Sequence, residues 1–105
     1  MVNQSSVEAY DSLVLTLRTE EGVKVTPDGL LVHGKLFAFL DGDDLVVEVS
    51  EARATDLKTR GVSAPFTGGG HELRDWVRVS DLELWPELAR EAHEFVGEPA
   101  VGGDS

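Results

Sequence analysis

Between Gly29 and Ser50 the chain reads GLLVHGKLFAFLDGDDLVVEVS, three short apolar runs separated by two polar breaks. Each run is too short for a helix and rich in β-formers, so each is read as a strand. His33-Gly34 fits a two-residue turn that needs positive φ at both positions, which glycine supplies freely and histidine tolerates. Asp41-Gly42-Asp43-Asp44 carries the Asp-Gly pair favoured in hairpins. In the simplest register Leu31 opposes Leu36, Leu40 opposes Leu45 and Ala38 opposes Val47. Strand side chains alternate between faces. One face would then carry Leu31, Leu36, Ala38, Leu40, Leu45, Val47 and Val49, and is expected to be core. The other would carry Leu30, Val32, Lys35, Phe37, Phe39, Val46 and Glu48.

On either side the pattern changes period. Val7, Tyr10, Leu13, Val14 and Leu17 fall on one face of a helix, with Ser5 or Ser6 as its cap and Gly22 past its end. Acids before Gly22 oppose the helix dipole, which predicts fraying there. Val23 to Thr26 alternates as a strand, and Pro27-Asp28-Gly29 makes a turn. Ser50 caps a second helix, Glu51 to Arg60, ended by Gly61. Val62 to His71 reads as a turn-rich connection that Phe66 would pin by burial, with Thr67 to Gly70 as a mobile loop. Arg74 to Val79 alternates as a fifth strand. Pro86 suits the first turn of a closing helix that runs to about Val96, with Trp85 before it. The polar side of that helix would hold His93. Residues 1–4 read as a loose end and residues 98–105 as a disordered tail, leaving one domain over residues 1–97. The predicted class is α+β: a two-layer fold with an antiparallel five-stranded sheet, helices mainly on one face, in the order α-β-β-β-β-α-β-α.

Composition narrows the function classes. The 105 residues carry a net charge of −11, 20 acids against 9 bases. Lys and Arg contacts to phosphate supply most non-specific affinity for nucleic acid, so that charge disfavours a nucleic-acid partner. The chain has no cysteine, hence no disulfide and no thiol chemistry. The longest apolar run is far below the ~20 residues of a membrane helix, and no secretory leader stands at the start. A cytoplasmic, membrane-free protein is expected.

The chemical motifs are weak. His71-Glu72-Leu73-Arg74-Asp75 is half of a zinc-protease pattern without its second histidine. The glycines at 68–70 lack the Gly-Lys-Ser/Thr ending of a phosphate loop. Asp41, Asp43 and Asp44 form too short a run for a calcium loop. Ser50 and Ser80 start elements rather than act as nucleophiles. No catalytic residue, metal ligand or cofactor site is assigned. Arg74 and Arg78 flank Trp76 on one strand face and form a candidate basic and aromatic patch.

Gly34-Lys35-Leu36-Phe37-Ala38, the following Gly-Asp turn, the apolar strand and the helix Glu51 to Gly61 together resemble a known pattern. So do Pro65-Phe66, the Trp76 strand and the closing helix with Trp85 and Ala92. The pattern is that of the TfoX N-terminal domain family and the related YjbR (MmcQ-like) proteins, over roughly residues 7–97. Thr26-Pro27-Asp28-Gly29 stands where TfoX-like domains often carry Met-Phe-Gly-Gly, and Glu48 stands near a frequent lysine. Both departures favour a divergent or YjbR-like member. The resemblance implies a secretion-chaperone-like α+β fold and no established reaction; some members are described as DNA-binding.

The expected function is therefore a small non-enzymatic binding or regulatory module working through protein contacts, with an unknown protein or a second copy as partner. A DNA-binding protein is the alternative, and an enzyme of unknown reaction the second. The expected interface is the second sheet face: Leu30, Val32, Phe37, Phe39, Val46 and Trp76.

Overall fold

The structure is a computed structural model and describes residues 4–68 and 70–97. The expected tail at 98–105 lies outside the described residues, as do residues 1–3 of the loose end. Helix α1 spans Gln4–Leu17, followed by strands β1 Val23–Thr26, β2 Gly29–Val32, β3 Lys35–Asp41 and β4 Asp44–Glu48. Then come helix α2 Glu51–Thr59, strands β5 Ala64–Gly68 and β6 His71–Val79, a 3-10 turn at Leu82–Leu84 and helix α3 Trp85–Gly97. The six strands pair antiparallel throughout, in the order β1-β2-β3-β4-β6-β5. The α+β class and the order of the long elements are as expected.

The sixth strand is β5. In sequence this segment resembles a turn-rich connection, because Pro65 and Gly68 are strand-breaking residues. At a sheet edge a strand needs one partner only, so proline is tolerated there. Pro65 pairs with Val77, and Phe66 with Leu73 after a register shift. Thr67 and Gly68, expected in a mobile loop, lie in this strand.

The turns are close to the reading. His33 adopts φ 52° and Gly34 φ 83°. Ser50 Oγ accepts from the Arg53 N–H at 3.1 Å and starts α2, and Gly61 follows it with φ 78°. Helix α1 ends at Leu17, and residues 18–22 form turns and a bend. Ser6 is not a cap. It lies inside α1, buried, and its hydroxyl donates to the Asp43 carbonyl at 3.3 Å, tying the helix to the β3–β4 turn.

One core joins the sheet to the helices. It holds Leu13 and Leu17 of α1, Ala54 and Leu57 of α2, and Trp85, Leu88, Ala89 and Ala92 of α3. Against them pack Leu30, Val32, Phe37, Ala38, Leu45, Val47, Val49, Val77 and Val79. Trp85 is buried, and its indole N–H donates to the Val79 carbonyl at 3.0 Å, which meets the polar demand of a buried indole.

The core corrects the expected face assignment. Leu31 opposes Leu36 as read, but the next pair is Leu30 with Ala38. One step on β2 is matched by two on β3, so Phe37 is the extra residue of a bulge. An odd residue inverts a period-2 pattern. On one side of the bulge Leu30, Val32 and Phe37 turn into the core, at 0, 1 and 0% exposed. Leu31 and Leu36 turn to the opposite face. Past the bulge the reading holds: Ala38 pairs with Val47 and Leu40 with Leu45.

Candidate interaction surface

The face away from the core is built by β3, β4, β6 and β5 in that lateral order. Ladder partners share a face. Phe39 pairs with Val46, Val46 with Arg78, and Glu48 with Trp76. Three rings meet here. Phe39 and Phe66 stand edge to face with centroids 5.7 Å apart; Phe39 and Trp76 are 5.9 Å apart, and Phe66 and Trp76 6.3 Å. These separations fit favourable aromatic pairs. Phe39 and Trp76 lie on strands that β4 separates, so their rings close over β4. Val46 between them is fully buried, although it belongs to no helix-covered cluster. The rings themselves stay half-buried, as do Leu31 and Leu36. Among the described residues none of these five side chains is packed against the helical core.

The expected interface residues therefore divide. Phe39 and Trp76 lie on the helix-free face and remain partly open. Val46 is on that face but roofed by its neighbours. Leu30, Val32 and Phe37 are in the core and unavailable, because the bulge turned them over. Phe66, Leu31 and Leu36 were missed as members. Phe66 was assigned to a loop, and its neighbours on β6 give no hint that an edge strand lies beside them.

The candidate basic patch is neutralised. Arg78 Nε binds Asp44 at 2.9 Å and its Nη2 binds Asp41 at 3.1 Å. These bonds hold its guanidinium pKa above the ordinary value. Arg74 faces Glu51 at 3.6 Å, and Lys58 binds Glu72 at 2.6 Å. On α2, Arg53 is held by Asp56 and by Glu91 of α3, each at 2.9 Å. A phosphate arriving at Arg78 would compete with two carboxylates already in place.

At the Trp76 end of the face stands a pair of carboxyls. Glu48 lies within hydrogen-bonding reach of Asp75, whose backbone carbonyl accepts from the Val49 N–H at 2.9 Å. Burial raises the Glu48 pKa most, then the hydrogen bond and charge of Asp75, while Lys35 opposes them; the result is about 7, from an ordinary 4.5. A carboxyl beside Glu48 disfavours the ionised form of Glu48.

The three histidines stay apart. His33 is in the β2–β3 turn and His71 opens β6. His93, expected on a polar surface, packs edge-on against Phe37 at 5.5 Å, and its Nε2 is buried without a hydrogen-bond partner. Among the described residues no group of three or more His, Asp or Glu side chains could hold a metal ion. No described helix is long and apolar enough to cross a membrane.

No protein-family model, curated protein or solved structure matches the chain.

Proposed function

We propose that this protein is a small binding module, without catalytic chemistry, that engages a partner protein through the helix-free face of its sheet. The observation that carries the reading is the aromatic trio Phe39, Phe66 and Trp76, brought together from three strands and left partly open. Aromatic residues are enriched at the energetic centres of protein interfaces. The surrounding ion pairs give the apolar centre a polar rim. Membership of the TfoX N-terminal and YjbR-like group, with its secretion-chaperone-like fold, remains part of this proposal and rests on the short motifs named above.

A photoreactive phenylalanine analogue tests the reading. Placed at position 39 or 66, it is expected to capture the same partner protein in native extract. Placed at the exposed Leu15 of α1, it is not. Capture at all three positions alike, or at none, would reject the surface.

DNA binding is the second reading, supported by Trp76 between Arg74 and Arg78 on the same strand. With those arginines paired to carboxylates, no retention of mixed-sequence duplex is expected even at about 50 mM salt, where phosphate contacts are strongest. Saturable binding that weakens steeply with salt would favour DNA instead.

A further inference from the structure

The face has a charged end as well as an apolar centre. Glu48 is the ladder partner of Trp76, and Asp75 precedes Trp76 in β6. Glu48 therefore borders the aromatic trio, with Asp75 within its reach. The cations of the neighbouring elements are already engaged: Arg78 with Asp41 and Asp44, Arg74 with Glu51, Lys58 with Glu72. Lys35 of β3 is the cation whose field reaches Glu48. On the α2 side Glu51, next but two after Glu48 in sequence, faces Arg74 at 3.6 Å. The chain as a whole carries −11, so a second copy would be repelled and a basic partner attracted.

We propose that the occupant of this face is a basic, apolar segment of a partner protein, with a cationic side chain seated against the Glu48–Asp75 carboxyl pair. The inference rests on the reading of the face as the binding surface and adds the chemistry of what binds. A cation seated there favours the ionised form of Glu48 and so displaces its proton. Binding then releases that proton, and affinity must rise with pH. With Glu48 titrating at about 7 in the free protein, the full effect is about tenfold between about pH 6 and about pH 8.

Two synthetic peptides of equal length serve as probes, one alternating leucine with arginine and one alternating leucine with glutamate. Trp76 emission reports docking, since Trp85 is shut in the core. The arginine peptide is expected to bind, about tenfold more tightly at the higher pH, and the glutamate peptide to bind weakly or not at all. Glu48→Gln is expected to weaken binding and flatten its pH dependence. Glu20→Gln, which removes a carboxyl at an exposed site past α1, is expected to do neither. Equal binding of the two peptides overturns the cationic partner while leaving the surface reading intact. Equal effects of Glu48→Gln and Glu20→Gln also overturn it, because attraction would then be general. If neither peptide moves Trp76 emission at millimolar concentration, the surface reading falls as well.

Discussion

At the scale of single residues, neighbours in sequence carry opposite duties. Phe37 is wholly buried against α3, while Leu36 beside it faces the helix-free side. Phe37→Ala should cost about 3–5 kcal/mol, as a large core truncation does. Leu36→Ala, from a half-open site, should cost roughly 1 kcal/mol. Denaturant melts of the two variants check this, and the reverse order would reject the bulge. Glu48 makes a second prediction. Its folded pKa lies above its unfolded value, so the native state holds a proton that the unfolded chain has released. Its contribution to stability is fully present below about pH 4.5, is lost as pH rises toward 7, and is level above that. Solvent screening limits the loss to about 1 kcal/mol. Melts of Glu48→Gln should show a smaller fall between about pH 5 and pH 7.5 than the wild type. A parallel fall would show that Glu48 does not hold the proton.

At the scale of elements, β3 approaches a glycine at the start of β2 closely. Gly29 has φ 143°, and a Cβ there would lie 2.6 Å from both the Ala38 carbonyl oxygen and Phe39 Cβ. Those contacts are backbone and strand-bound, so they cannot move aside. Gly29→Ala should therefore destabilise the fold by at least about 1–3 kcal/mol. Gly42→Ala, with positive φ but open space around it, should cost less. Comparable melting temperatures would contradict the close approach. The same elements show what was legible in the sequence. Turn chemistry placed His33-Gly34, Asp41-Gly42 and Gly61; the Ser50 cap and helical periodicity placed α2 and α3. The bulge left no mark, because Leu36 and Phe37 are both apolar and either can face a core. Strand β5 was hidden by Pro65 and its glycines, whose sequence signal is the same in a loop and at a sheet edge. The carboxyl pair was invisible too, since Glu48 and Asp75 meet only when β4 lies beside β6.

At the scale of the whole molecule, one sheet divides two environments. Helices cover one side, and the other keeps a cluster of rings roofing Val46. The two edges offer little to a new strand: β1 is four residues long and carries Lys24, and β5 carries Pro65. The proposed recognition therefore uses the face rather than the edges. That face is the central claim, and the most direct measurement is equilibrium unfolding of Phe39→Asp beside Phe37→Asp. An aspartate at position 39 can reach water, so the variant should stay folded, with cooperative unfolding and a denaturant slope like the wild type's. An aspartate at position 37 would be an unpaired buried charge and should abolish the fold. Unfolding of the Phe39→Asp protein would contradict the account, because the ring would then belong to a second closed core and not to an open surface.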